Sequence, residues 1–103
     1  MESAPPIRFG NAPCSWGTLE GVGQGVPYSQ MLDELKEAGY EGSELGDYGY
    51  MPTDPVLLRE EFQKRGLVLL GAFEGVYLRE VSEHAPGEAR ALRTARLMAA
   101  LAD

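Results

Sequence analysis

Cysteine, histidine and tryptophan occur once each in this chain. With Cys14 alone, no intrachain disulfide can form, which fits a reducing compartment. No C-x-x-C or H-x-x-E-H spacing exists, so the sequence spells out no metal motif. Basic residues are scarce as well: 9 Lys and Arg stand against 16 Asp and Glu, for a net charge of −7. Nucleic acid or an anionic membrane surface would need a clustered basic face; none is evident, and neither partner is expected. No apolar run approaches the roughly 18 residues of a membrane helix. The opening Met1-Glu2-Ser3-Ala4-Pro5-Pro6 lacks the basic start and apolar stretch of a secretion signal, and a cytoplasmic protein is expected.

What is present suits a globular protein: 103 residues, 44% apolar and 24% charged. Residues 7–12 read as a short strand after a Pro-Pro lead. Residues 17–26, with glycines at 17, 21, 23 and 25, read as a loop. A helix follows, with Pro27 at its first position. Tyr28, Met31, Leu32 and Leu35 fall at i, i+3, i+4 and i+7, one apolar stripe, and Gly39 ends the helix. Residues 40–46 form a second strand candidate. Thr53 or Asp54 then caps a second helix that starts at Pro55, buries Leu58 and Phe62, and stops at Gly66. The nearly continuous apolar run 67–73 predicts a third strand covered on both faces, as parallel sheets are. A loop over about 74–87 leads to a last helix over 88–103, rich in Ala, Leu and Arg.

The order β-α-β-α-β-α with short connections predicts parallel crossovers in an α/β fold. Strand starts near 7, 41 and 67 give about 30 residues per unit. A TIM (β/α)₈ barrel of roughly 250 residues allots about 31, but a doubly wound sheet has similar units, and periodicity leaves both open. Leu97-Met98-Ala99-Ala100-Leu101-Ala102 is apolar around almost the whole helix, and no Gly, Asn or Pro stop follows. Such a surface calls for burial against more protein, so residues 1–103 are expected to form one partial domain, truncated at its C-terminal side.

In parallel α/β folds, ligands sit at the carboxyl ends of the strands. Three segments qualify, and they bring Trp16, Glu44, Asp47, Tyr48, Tyr50 and Glu74. Aromatic faces and carboxylates suit a polyhydroxylated ligand, whose C–H faces pack on rings while its hydroxyls donate to carboxylates. Each residue has a plainer role. Trp16 serves equally well as a plug at one end of the core. Glu44 faces the barrel axis if its neighbour Leu45 faces the helices, and a carboxylate there needs water, a metal or a hydroxylated ligand. Otherwise Glu44 is an edge carboxylate in solvent. Cys14 is expected to be a small buried packing residue, and His84 a solvated loop histidine. Asp47 and Glu74 read as solvated loop acids or caps. Glycines 21, 23 and 25 do not make the G-x-G-x-x-G of a dinucleotide loop.

Gly10-Asn11-Ala12-Pro13-Cys14-Ser15-Trp16-Gly17, then Gly39-Tyr40-Glu41-Gly42-Ser43-Glu44-Leu45-Gly46, then Met51-Pro52-Thr53-Asp54, together resemble the start of xylose isomerase-like barrel proteins. Within them the likeness is to the sugar phosphate isomerase/epimerase family that includes inosose dehydratases, and it runs from Ile7 onward. The resemblance implies the first three units of a (β/α)₈ barrel from carbohydrate metabolism. It also implies an enzyme using a divalent metal, manganese or cobalt, to move protons next to a carbonyl, as an isomerase, epimerase or lyase (dehydratase). Its metal ligands would come from later strands and not from this chain. What carries over is substrate contact: Trp16 as a pocket wall and Glu44 as a lining carboxylate, with Asn11 and Ser15 beside them. No catalytic residue is assigned here.

The expected partner is a small sugar or cyclitol. The chain alone is expected to be inactive and prone to self-association through uncovered strand edges. A self-contained α/β binding module using the aromatic loops is the alternative. A subunit that completes a barrel by oligomerising is a third reading.

Overall fold

The computed structural model describes residues 6–17 and 25–102. Most of the expected glycine-rich loop, residues 18–24, lies outside them. Three helices alternate with three short strands: β1 Gly10–Asn11, α1 Tyr28–Glu37, β2 Gly42–Ser43, α2 Pro55–Gln63, β3 Val68–Leu69 and α3 His84–Leu101. The sheet is parallel in the order β1-β2-β3, with Gly10 opposite Gly42 and Gly42 opposite Val68. The expected βαβαβα order and strand direction are therefore present.

Each helix follows from its sequence. Met31, Leu32 and Leu35 of α1 are fully buried, while Asp33, Glu34, Lys36 and Glu37 stay exposed. Pro27 stands just before α1 and not in its first turn: its backbone is extended, and its carbonyl accepts the Met31 N–H at 3.1 Å. Asp54 caps α2 by accepting the Val56 N–H at 2.9 Å, with Pro55 as the first helical residue. Gly39 (φ 99°) and Gly66 (φ 66°) end α1 and α2 in the left-handed conformation that side chains disfavour. The last helix begins at His84, four residues ahead of its expected start, after a 3₁₀ turn over Val81–Glu83. Pro86 fits the first turn, where its missing N–H leaves no gap. Gly87 is a contact point and not a stop, since an added Cβ would lie 2.8 Å from Val76.

The regular strands are shorter than the stretches 7–12, 40–46 and 67–73 that the sequence suggested. Gly10 and Gly42 contribute no side chains, and Pro13 has no N–H to continue β1. Backbone bonds nonetheless extend the ladder to Glu41 N–H on the Phe9 carbonyl (2.8 Å) and Leu45 N–H on the Gly71 carbonyl (2.8 Å). One core lies on the helix side of the sheet, joining Met31, Leu32, Leu35, Leu45, Met51, Leu58, Phe62, Leu67 and Leu97. The opposite face is open. Val68 is 49% and Leu70 53% exposed, so the third strand is covered on one face and not on both. Leu70 lies across Gly10 and Gly42, where any Cβ would collide with it. Beyond β3, a groove of about 470 Å³ runs between α2 and α3, lined by Phe62, Leu67, Leu69, Met98 and Leu101. Among the described residues, no helix is long and apolar enough to cross a membrane.

A charged cluster ties α1 to α2. The Arg65 guanidinium donates to Asp33 at 2.7 Å and to Glu61 at 2.9 Å, while Lys64 reaches Glu61 at 3.0 Å. Glu61 is buried, and the Arg65 hydrogen bond holds its carboxyl below the usual carboxylate range, against the opposing effect of burial. A depressed native pKa means that this stabilisation is complete above the unfolded value, about 4.3, and fades as pH falls through the native one. Replacing Arg65 by Met should lower stability near neutral pH by about 1–3 kcal/mol, because Glu61 loses its main partner. The difference should shrink on acidification, and equal destabilisation of the variant at pH 7 and well below pH 4 in denaturant melts would contradict this role. Ile7 (80%), Phe9 (67%), Val68 and Leu70 leave apolar surface in water. Self-association should follow, with an apparent mass and melting temperature that rise with concentration. A midpoint constant over a wide dilution series, with monomeric light scattering, would exclude it.

Candidate functional site

The loops that leave β1, β2 and β3 gather at one end of the sheet. The turn after β1 is a 3₁₀ segment over Pro13–Trp16. Asn11 shapes it: its Oδ1 accepts the Ala12 N–H at 2.8 Å and the Ser15 hydroxyl at 2.7 Å. Asn11 and Ser15 are thus brought together, each engaging the other. Pro13 fills the buried position of this turn, and Cys14 projects outward, exposed, contrary to the expectation that it packs inside.

Trp16 is half-buried against the core, and its indole N–H donates to Glu34 of α1 at 3.0 Å. Gln30 donates to the other Glu34 oxygen at 3.0 Å, so the carboxylate is held from two sides. Tyr50 is also tied inward, its hydroxyl donating to the Val26 carbonyl at 2.6 Å, and burial pushes its phenol up. Glu44 differs. Its backbone N–H bonds the Asn11 carbonyl at 2.9 Å, while its side chain is exposed. Leu45 next to it is buried among the helices, so strand alternation puts Glu44 on the open face. Gly71 at the end of the third strand leaves room for the carboxylate, since an added Cβ there would lie 3.8 Å from it.

The remaining strand-end candidates form a second group with partners that the sequence reading passed over. Asp47, Tyr48, Phe73, Glu74 and Tyr77 line a cavity of about 400 Å³ together with Arg90 and Arg93 of α3. Glu74 is not a solvated loop acid. It accepts the Thr94 hydroxyl at 2.9 Å and pairs with Arg90 at 3.6 Å, which fixes the third loop to α3. Arg93 stacks on Tyr48, 3.7 Å from the ring centre. The available signal was the i, i+3, i+6 spacing of Arg90, Arg93 and Arg96 on one helix, a local basic stripe hidden by the acidic total. His84, expected in a loop, opens α3, with its ring nitrogen 2.6 Å from the Leu78 carbonyl.

Comparison with known proteins finds relatives in sequence. The chain is 36% identical over 73 residues to inosose dehydratase of Geobacillus kaustophilus (strain HTA426), covering 69% of this chain and 23% of that protein. It is 32% identical over 74 residues to inosose dehydratase of Lacticaseibacillus casei, covering 70% and 24%. The enzyme of the same name from Mesomycoplasma hyopneumoniae (strain J / ATCC 25934 / NCTC 10110) is 30% identical over 74 residues, covering 70% and 24%. The chain thus spans about a quarter of the length of the curated relatives it matches. No family model matches it. No solved structure matches it either. The similarity supports kinship with part of the inosose dehydratases, on a parallel α/β framework.

The single tryptophan makes its anchor measurable. Glu34→Ala removes the acceptor of the indole N–H, so Trp16 should loosen, shifting its emission to longer wavelength and becoming easier to quench. Unchanged emission and quenching in a folded E34A variant would show that packing alone holds the ring.

Proposed function

We propose that this chain is part of a sugar- or cyclitol-processing enzyme of the inosose dehydratase kind, contributing the first three units of a (β/α)₈ barrel. The reading is supported above all by the 36% identity over 73 residues, on a sheet whose strands run parallel in chain order. The reaction class is proton transfer next to a carbonyl of a polyhydroxylated ring, as in a dehydration, with isomerisation or epimerisation as related outcomes. Such an enzyme would use a divalent metal, manganese or cobalt, to polarise the carbonyl. Among the described residues, no three His, Cys, Asp or Glu side chains come together to hold one, so no step is assigned to a metal on this chain.

The chain's own contribution is binding and orientation. Glu44, on the open sheet face, accepts a hydrogen bond from a ring hydroxyl. Trp16, held by Glu34, walls the pocket at the end of β1, with Asn11 and Ser15 shaping the turn beneath it. This division accounts for a carboxylate left without a protein partner among the described residues, while its neighbours are tied down.

A chimera tests the reading. This chain replaces the matching segment of the Geobacillus kaustophilus inosose dehydratase, and dehydration of inosose is followed. The chimera should turn over, and Glu44→Gln in it should lower kcat/KM by about 10- to 100-fold, the effect of losing a charged hydrogen bond. The isolated chain should show no turnover. A folded chimera whose E44Q form keeps full activity would remove Glu44 from the substrate site. Turnover by the 103-residue chain alone would overturn the part-enzyme reading.

A further inference from the structure

We propose that the cavity between the third strand's loop and α3 binds a small hydroxycarboxylate, a compound of the sugar-acid class, separately from the Glu44 face. The anchor is Arg93. Tyr48 covers one face of its guanidinium at 3.7 Å, and no carboxylate lies within ion-pair distance of it among the described residues. The stacked face is occupied while the donor edge is uncommitted, and that edge is the part of arginine that matches a carboxylate with two parallel hydrogen bonds.

The surroundings select the rest of the ligand. Arg90 shares the cavity, but Glu74 already neutralises it at 3.6 Å, and Glu74 is further occupied by Thr94. Arg96 lies across Tyr48 in the adjoining pocket and likewise pairs with no carboxylate. Arg90 and Arg93 line the cavity with Asp47 and Glu74, and Arg96 stands behind Tyr48 in the adjoining pocket, so the uncommitted donor edge of Arg93 is the group left for an anion. A single carboxylate suits it. Asp47 would repel a bare anion, so the ligand must also carry a donor, and a hydroxyl near its carboxylate supplies one. Phe73, 71% exposed, and Tyr77, 65% exposed, stand at the cavity as rings for the C–H face of a carbon chain. A cavity of about 400 Å³ suits a ligand of this size.

Calorimetric titration of the full chain with sodium gluconate, sodium acetate and myo-inositol, at one ionic strength, tests the site. Gluconate should bind at least about tenfold more tightly than either comparison compound, because only it has both the carboxylate and the hydroxyls. Arg93→Gln should weaken gluconate about tenfold or more, and Arg93→Lys several-fold, since the charge remains and the fork is lost. Asp47→Ala should weaken gluconate and leave acetate unchanged or tighter. Circular dichroism shows whether R93Q stays folded; if it does not, R93K and D47A carry the test. The proposal falls if gluconate does not bind, if the folded Arg93 variants bind it like the wild type, or if acetate or myo-inositol binds as tightly or more tightly. Each outcome is independent of turnover in the chimera.

Discussion

The whole arrangement depends on the backbone of β2 being bonded on both sides. Glu41 and Glu44 donate to Phe9 and Asn11 of the first strand, while Val68 and Leu70 donate to Glu41 and Ser43. Parallel pairing of such short segments is weak per residue, so the register must be reinforced elsewhere. Leu45 and Leu67 supply that reinforcement by entering the helix-side core. A slip of one residue would send Leu45 into water and Glu44 among Met31, Leu32 and Leu58. Packing of an apolar side chain and exposure of a carboxylate are thus one decision, made once by the central strand.

The helices were the legible part. The α1 stripe, the Asp54-Pro55 start of α2 and the glycine stops at 39 and 66 are local effects, and each stands where the sequence put it. Element order and strand direction followed from the alternation. Three parallel strands in chain order suit a barrel and a doubly wound sheet alike, so the alternation carries the α/β class and no more. The extent of the strands and the start of α3 were less legible, because both turn on contacts far apart in sequence. Gly87 reads as a break until Val76 is seen packed on it.

The site was legible in part. Alternation placed Glu44 opposite Leu45, and Leu45 is buried while Glu44 is exposed, an orientation that the pocket and the solvent readings of Glu44 share. The indole of Trp16 and the hydroxyl of Tyr50 find partners 18 and 24 residues away, which no spacing rule reports. Glu74 was misjudged for the same reason: the Thr94 and Arg90 groups that settle it belong to another element. Cys14 failed differently. In a tight turn only one of two neighbours faces inward, and the proline took that place.

Leu70 rests on the bare backbones of Gly10 and Gly42, so its fit is against main chain and not against other side chains. Bulk on that face is therefore lopsided: two strands are held at the smallest residue, and the third alone has latitude. Sequence drift across the floor must run through position 70, where trimming opens space above two glycines. Growth at position 10 or 42 would first require the leucine to withdraw.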